Sequence, residues 1–326
     1  MMSYVSDRGA ATAAPILRGE TSDSRLEVRC MRVLIAYDGS PGAEQAIALA
    51  GALPWPSESK LRVANVVEPV LPHYTGVRHV GRVPPPEFDP LMIEQREAQV
   101  SDAVGRLGRD GRSAEGVVLR GRPATVLVDE ASRFGADLVI GGSRGRGRVA
   151  NLLLGSVSAE VVDNAPCPVL VARTAQVRAV VVAVDGSPPA ELAVSLLATW
   201  PIFEGLPLHV VSVADVMEPV QFGLAPQKFH NAAAAHAKAV AEEKENQSLI
   251  AEEAARRLRD SGRQADATMR TGRAADEIIA FAADTGADLV VMGSQGRTGF
   301  ARMVLGSVAR SVVNRTTASV LIVRGS

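Results

Sequence analysis

The sequence predicts an α/β fold of two tandem domains, each with a doubly wound, five-stranded parallel sheet. Three observations lead to this prediction. The chain has 326 residues, enough for about two domains of ordinary size. The segments 137–173 and 288–324 align without a gap and share 17 of 37 residues, which indicates an internal duplication. Short apolar runs without polar alternation recur in both halves, as in parallel strands that are buried on both faces.

The first element of each half is a strand that leads into a helix. Apolar runs begin at Arg32 and Ala179, and both continue as Asp-Gly-Ser-Pro. Serine is a good N-cap, and proline suits the first helical position. Helices are therefore predicted to begin after Ser40 and Ser187.

The remaining elements follow in the same order in both halves, with irregular, proline-containing segments at 68–90 and 215–229. An alanine- and glutamate-rich run predicts a long helix at 231–261, whereas its counterpart at 91–110 contains two glycines. This alternation of strands and helices favours right-handed crossovers in a parallel sheet. The other strands are predicted at 61–67, 115–120, 137–141 and 168–172 and at 208–214, 264–270, 288–292 and 319–323, with helices from Ala124 and Ala274.

A glycine pattern, Gly-x2-Gly-x9-Gly-Ser, follows the fourth strand of each half. A strand, a glycine loop and a helix N-terminus together are typical of phosphate-binding sites. The alternative is that the glycines only end the strands, but that role does not require the distant Gly-Ser to keep its register. The candidate nucleotide-binding residues of the two loops are Gly142, Ser143, Arg144, Gly145, Arg146, Gly155, Ser156 and Val157, and Gly293, Ser294, Gln295, Gly296, Arg297, Gly306, Ser307 and Val308.

An aspartate follows the first strand of each half. In open α/β sheets, ligands bind beyond the carboxyl ends of the strands where the strand order reverses, which is between strands one and four here. Asp38 and Asp185 are therefore expected beside the glycine loops, where a carboxylate can accept hydrogen bonds from ribose hydroxyls or an adenine amine. Ala36 and Ala183 lie on the same strand faces and leave room for a base or sugar. The alternative is that Asp-Gly-Ser only forms a turn.

Composition argues against several classes of partner. The formal net charge is −1, from 35 basic and 36 acidic residues, so no nucleic-acid surface is indicated. No apolar run approaches the ~18–20 residues of a membrane helix, and no membrane partner is expected. Cys30 and Cys167 cannot form a disulfide framework, which favours the cytoplasm. Residues 1–30 lack a periodic pattern and are expected to form a disordered extension, with Met31 as an alternative start.

Catalytic motifs are missing from the sequence. There is no P-loop motif and no serine nucleophile elbow, and the five histidines form no metal-like pair. The segment 145–150 matches a looser dinucleotide fingerprint, but the second copy breaks that pattern. Cys167 is interpreted as a small buried residue. No catalytic residue and no protein metal site is therefore predicted.

The glycine pattern, the Asp-Gly-Ser after strand one and the order of elements resemble the universal stress protein family. The resemblance covers residues 31–174 and 177–326, so the chain is similar to tandem, two-domain members with an adenine nucleotide alpha hydrolase-like fold. In that family the glycine pattern marks the ATP-binding branch. The resemblance implies that the two aspartates contact the nucleoside, that Val66 and Val213 meet adenine through backbone groups, and that the loop glycines and serines hold phosphates. Mg²⁺ usually accompanies such phosphates.

The resemblance also implies a mode of assembly. Family members commonly dimerise through their last strands, which implies pairing of the two domains within this chain, and a homodimer. Gly141 stands where the second copy has the large apolar Met292. The two sites are therefore expected to be unequal.

These inferences predict a cytoplasmic, ATP-binding stress-response or regulatory protein. Nucleotide binding in each domain would tune conformation or the affinity for a regulatory protein that the sequence does not identify. Two alternatives stay open: a slow ATP-hydrolysing enzyme, and a non-catalytic interaction module whose sites are empty.

Overall fold

A computed structural model describes residues 30–69, 90–108, 113–143, 154–215, 226–296 and 305–324. The predicted extension lies outside these ranges except for its last residue. Within them, each half alternates five strands with four helices, which confirms the predicted fold class. The first half contains β1 (Arg32–Ala36), α1 (Pro41–Ala52), β2 (Lys60–Val67), α2 (Pro90–Leu107), β3 (Ser113–Arg120), α3 (Pro123–Phe134), β4 (Leu138–Gly142), α4 (Ser156–Asn164) and β5 (Val169–Ala172).

The second half repeats this order and adds a short 3₁₀ turn at Pro201–Phe203. None of the helices in the described ranges combines the length and apolar character needed to cross a lipid bilayer. The elements of this half are β6 (Val180–Ala183), α5 (Pro188–Thr199), β7 (Pro207–Ala214), α6 (Pro226–Asp260), β8 (Gln264–Thr271), α7 (Ala274–Asp284), β9 (Leu289–Gly293), α8 (Ser307–Arg315) and β10 (Ser319–Val323).

All ten strands join in one sheet, in the order β3-β2-β1-β4-β5-β10-β9-β6-β7-β8. Pairing is parallel within each half, and β1 and β6 lie between the second and fourth strands of their halves. The two halves meet where β5 pairs antiparallel with β10, with Leu170 opposite Leu321. The last strands therefore pair with each other inside the chain.

Two arginines reinforce this junction in a pseudo-symmetric way. Arg173, just after β5, donates a hydrogen bond to the carbonyl of Val313 in α8. Arg324, just after β10, donates one to the carbonyl of Val162 in α4. Each domain thus sends one guanidinium to the last helix of the other, and burial lowers the pKa of Arg324.

The sheet separates two hydrophobic cores, each of which runs through both domains. One core lies under α1, α2, α5 and α6, and the other lies under α3, α4, α7 and α8. Successive residues of a strand face opposite sides, so Ile35 packs in the first core and Leu34 in the second. This double burial explains why the strands are apolar without alternation.

The structure differs from the predicted boundaries in a few places. α6 begins at Pro226, inside the segment predicted to be irregular, because proline is compatible with a first helical turn. α2 runs through Gly105 and ends at Leu107, while residues 109–110 lie outside the described ranges. The fourth strands extend one residue further than predicted and so include the first glycine of each pattern.

Candidate functional site

Both candidate sites lie at the carboxyl ends of the strands, where the strand order reverses. In the first domain a cavity of about 760 Å³ opens beside β1 and β4, and in the second a cavity of about 310 Å³ opens beside β6 and β9. Ligand pockets usually measure about 300–1,000 Å³. The first cavity is therefore of ample size, and the second lies at the lower limit.

The aspartates after β1 and β6 form turns and also line the cavities. Asp38 Oδ1 accepts a hydrogen bond of 2.9 Å from the backbone N–H of Ser40, and Asp185 Oδ1 accepts one of 3.0 Å from that of Ser187. The glycine between them has a φ of 75° or 76°, which favours glycine. Both carboxylates also lie in the cavity walls. Each aspartate thus both forms a turn and lines its cavity.

The first glycine of each pattern has a packing role. A Cβ on Gly142 would lie 2.3 Å from the carbonyl carbon of Gly42, at the start of α1, and a Cβ on Gly293 would lie 2.8 Å from the backbone N of Ala190 in α5. Real Cβ atoms do not approach backbone so closely. These glycines therefore let the fourth strand pack against the first helix, whatever they contact in a ligand.

The downstream Gly-Ser begins the last helix of each domain. Gly155 N–H donates to the carbonyl of Ser143 at 2.7 Å, and Gly306 N–H donates to that of Ser294 at 2.8 Å. Each of these glycines is the N-cap, and because glycine has no side chain it makes no side-chain capping bond. The first N–H groups of a helix lack partners within the helix, so these two termini favour an anion.

The structure brings most of the predicted residues together. Ser143 and Ser294 contribute the carbonyls just described and are not part of the cavity walls. Arg144, Gly145, Arg146 and Arg297 lie outside the described residues. The predicted residues that line the cavities are Ala36, Asp38, Val66, Gly142, Gly155, Ser156 and Val157, and Ala183, Asp185, Val213, Gly293, Gln295, Gly296, Gly306, Ser307 and Val308.

The N-cap serines do not behave alike. Ser40 Oγ accepts a hydrogen bond of 3.2 Å from Ala43 N–H, as predicted for an N-cap. Ser187 is likewise the N-cap residue of α5, as predicted, but it makes no side-chain capping bond. Its hydroxyl donates instead to the carbonyl of Gln295 at 3.3 Å. A Cβ on Gly296 would lie only 2.7 Å from Asp185 Oδ2, so this loop closely approaches the aspartate.

The first loop is fixed by a different contact. Ser158 Oγ donates to the carbonyl of Gly142 at 2.7 Å and so ties α4 to the end of β4. The aligned residue in the second domain is Ala309, which cannot make this bond. The Ser158 contact could not be read from the motif, because Ser158 lies outside the repeated pattern.

Sequence reasoning missed several residues of the first cavity. Asn65 and Arg96 are buried and line it, as does Tyr37. Arg310 reaches it from α8 of the other domain. The available sequence signal for Asn65 was the presence of an asparagine within an otherwise largely apolar strand. Nothing in the sequence indicates that Arg310 lies near this cavity, because that follows from the pairing of β5 with β10.

A charged network adjoins the first cavity on the α1 side. Tyr37 donates a 2.6 Å hydrogen bond to Glu44 Oε1, and Arg106 pairs with Glu44 Oε2 at 2.7 Å. The Arg106 guanidinium and the Tyr37 hydroxyl lower the pKa of Glu44. Burial, together with the hydrogen bond to Glu44, raises the pKa of Tyr37 to about 12. This tyrosine therefore stays neutral at physiological pH.

The described residues offer no group of three or more His, Cys, Asp or Glu side chains that could hold a metal ion. Cys167 is buried, and burial raises the pKa of its thiol to about 12. A thiol with that pKa is almost entirely protonated at neutral pH, which disfavours nucleophilic chemistry.

Comparison with known proteins gives a consistent result over most of the chain. The sequence model of a family described as the universal stress protein family matches residues 30–173 and 176–324. A universal stress protein from Mycobacterium tuberculosis is 30% identical over 318 residues, covering 90% of this chain and 94% of the relative. One from Thermus aquaticus is 38% identical over 144 residues, covering 43% of this chain and 97% of the relative.

A solved structure supports the fold. The crystal structure of a universal stress protein from Archaeoglobus fulgidus matches this chain with a TM-score of 0.61 at 19% identity. The match covers 92% of this chain and 98% of that one. At this level of identity the likeness concerns the arrangement of both domains' strands and helices.

Proposed function

Because the chain belongs to the universal stress protein family, as a tandem two-domain member, we propose that each domain binds an adenine nucleotide, ATP, and that the bound nucleotide regulates the protein in a stress response. The binding domains of this proposal span residues 31–174 and 177–326. One observation carries it: in both domains the aspartate after the first strand and the N-terminus of the last helix line the same cavity. A carboxylate suits ribose hydroxyls, and a helix N-terminus suits phosphates.

The roles follow from the chemistry of each group. Asp38 and Asp185 would accept hydrogen bonds from the ribose. The backbone beside Val66 and Val213 would meet the adenine. The Gly-Ser at each helix start and the glycine loops would hold the phosphates, and Mg²⁺ would be bound chiefly by those phosphates and by water.

A regulatory role is supported by a contact between the two phosphate-binding helices. Asp163 in α4 pairs with Arg310 in α8 at 3.0 Å, and its Oδ1 also accepts a 3.4 Å hydrogen bond from Leu305 N–H. Leu305 directly precedes the Gly-Ser of the second site. A ligand that moves one helix start would therefore act on the other helix, and the conformation or partner affinity would respond to nucleotide.

Two measurements test the proposal. Mass spectrometry of small molecules released from freshly purified protein identifies a bound nucleotide. Calorimetric titration of the dialysed protein with ATP should give two binding events. If the dialysed protein has no affinity for ATP, the proposal is contradicted. The remaining alternative is then a non-catalytic interaction module with empty sites.

Aspartate variants test the assignment of the sites. An asparagine side chain keeps an oxygen for the turn, so Asp38→Asn and Asp185→Asn preserve the local fold while removing the charge. Each substitution should weaken one binding event by about tenfold or more, since hydrogen bonds to charged groups contribute about 1.5–3 kcal/mol. Unchanged affinity in the double variant contradicts the assignment. Sustained phosphate release that the double variant abolishes would instead favour an ATPase.

A further inference from the structure

The first cavity contains a buried polar side chain that lacks a partner. Asn65 in β2 is 1% exposed, and it lines the cavity. Neither its Oδ1 nor its Nδ2 has a hydrogen-bond partner in the described structure. Buried side-chain amides are nearly always hydrogen-bonded in native proteins, because leaving them unsatisfied is unfavourable. The amide of Asn65 is therefore suited to a ligand.

The second domain satisfies the equivalent position internally. Ser212 aligns with Asn65, and its hydroxyl donates to the side chain of Gln247 in α6. Gln247 in turn donates to Glu243 Oε1 at 2.7 Å. Neither Ser212 nor Gln247 lies in the wall of the second cavity. In this domain, a hydrogen bond between two polar side chains links the second strand to the long helix.

Arg96 stands in the first domain where the second has Gln247. When the two helices are aligned on their buried last turns, Leu107 and Leu258, and on the strands that follow, these residues fall at equivalent positions. Arg96 is 7% exposed, donates a 2.8 Å hydrogen bond to Gln99, and lines the same cavity as Asn65. The first cavity thus extends into a recess with an amide and a positive charge.

The recess lies on the opposite side of the sheet from the proposed nucleoside position. Successive residues of a strand face opposite sides, so Val66 packs on the α3 side while Asn65 faces α1 and α2. The cavity is continuous between them, past Tyr37 and Ser40 at the end of β1. A mononucleotide at Val66 and Asp38 would leave the Asn65 amide unsatisfied. A ligand that satisfies it must pass over the ends of the strands.

We propose that the first domain takes a two-headed nucleotide, in which the phosphate chain carries a second planar group with an adjacent hydrogen-bond donor and acceptor. The second domain takes a mononucleotide. An asparagine amide pairs in two contacts with such an edge, as it does with N6 and N7 of adenine, and Arg96 would offset phosphate charge. The cavity volumes, about 760 and 310 Å³, agree with this difference. The inference rests on the proposed function for the first half of the ligand.

Calorimetry on the full chain tests this inference with a matched pair of ligands. The probes are P1,P4-di(adenosine-5′) tetraphosphate and adenosine 5′-tetraphosphate, which differ by the second nucleoside. The wild type should prefer the two-headed probe at one of its two sites by about tenfold, the discrimination expected of one two-contact pair. Asn65→Leu, of similar shape, should abolish that preference and leave the affinity for adenosine tetraphosphate unchanged. Asn65→Ser, the residue of the second domain, should do the same.

Ser212→Ala is the control in the second domain and should keep the preference. Asn65→Leu should also raise the melting temperature without ligand, because it removes two unsatisfied polar atoms. If the wild type and both Asn65 variants prefer the two-headed probe equally, the inference is overturned. The proposed function still stands in that case, provided that ATP binds. A lower melting temperature with unchanged preference overturns it too and marks Asn65 as a water-bonded structural residue. If neither probe binds, the inference is overturned, and if ATP does not bind either, the proposed function is overturned with it.

Discussion

The two domains present the same motif on the same backbone but surround it with different cavities. In each domain an aspartate follows the first strand and a Gly-Ser begins the last helix. Yet the first cavity measures about 760 Å³ and the second about 310 Å³. Asn65 and Arg96 line the larger one, whereas Ser212 and Gln247 bond to each other outside the smaller one.

This difference shows that the motif fixes anchoring points and leaves the rest of the ligand unspecified. The aspartate and the helix start are set by turns that recur in both halves. The first cavity has further walls from α2 and from the neighbouring domain, whereas the described residues that line the second cavity include none from α6 or from the first domain. Equal motifs are therefore compatible with unequal ligands, and the following substitutions compare the domains position by position.

The largest difference is expected from alanine at the first glycine of each pattern. A Cβ at Gly142 would lie 2.3 and 2.4 Å from the carbonyl atoms of Gly42, and a Cβ at Gly293 would lie 2.8 Å from its nearest backbone atoms. Overpacking of this kind costs about 1–3 kcal/mol. Gly142→Ala should lower the free energy of unfolding, measured by urea denaturation, by about 3 kcal/mol. Gly293→Ala should lower it by less.

Gly105→Ala in α2 is the matched control, because a Cβ there has no neighbour within 4 Å. It should stabilise the protein by about 0.5–1 kcal/mol, since alanine is the better helix former. If Gly142→Ala is as stable as the wild type, the packing role of this glycine is wrong. Alanine at these two positions would also confound a binding experiment, which is why aspartate variants are the better probes of the sites.

The N-cap serines give the next largest difference. Ser40 caps α1, whereas Ser187 bonds to the carbonyl of Gln295. Ser40→Ala should lower the free energy of unfolding by about 1 kcal/mol, the usual value of an N-cap. Ser187→Ala should cost less stability and weaken ATP binding in the second domain, measured by calorimetry. Equal losses of stability in the two variants would show that Ser187 caps its helix in solution.

The sequence predicted the fold better than it predicted the sites. Duplicated apolar runs and Ser-Pro helix starts depend on local chemistry, so the strands and helices could be placed to within a few residues. The walls of the cavities could not, because they depend on contacts between distant segments. Arg310 reaches the first cavity only because β5 pairs with β10. Likewise, the structural role of Gly142 depends on the approach of α1, 100 residues earlier in the chain.

Tyr37 offers a comparison that depends on pH. The second domain has Val184 at this position, while Glu191 and Arg257 repeat the ion pair of Glu44 and Arg106. The pKa of Tyr37 rises from 10.0 to about 12 on folding. Its hydroxyl therefore contributes stability fully below pH 10, and that contribution is lost as the pH rises to about 12.

Tyr37→Phe should lower the free energy of unfolding by about 0.5–1 kcal/mol at neutral pH, the net value of one hydrogen bond. The gap between wild type and variant should close in alkaline solution, in denaturation curves recorded between neutral pH and pH 12. The tyrosinate absorbance that the variant lacks should appear near the same upper pH. The hydrogen bond to Glu44 is contradicted if the stability gap persists, or if the difference in tyrosinate absorbance between wild type and variant is centred at pH 10.

The smallest effect is expected at the ion pair between the domains. Asp163 of the first domain pairs with Arg310 of the second. The residues aligned with them in the opposite domains are Asn314 and Ala159, so the reciprocal ion pair does not form. Both side chains are partly exposed, and such pairs contribute about 0.2–1 kcal/mol. Asp163→Asn should therefore cost little stability, and less still in high salt. Because the pair joins α4 to α8, its loss should also make ATP binding at the two sites more nearly independent in calorimetry. Unchanged coupling between the sites would assign communication to the paired strands β5 and β10 instead.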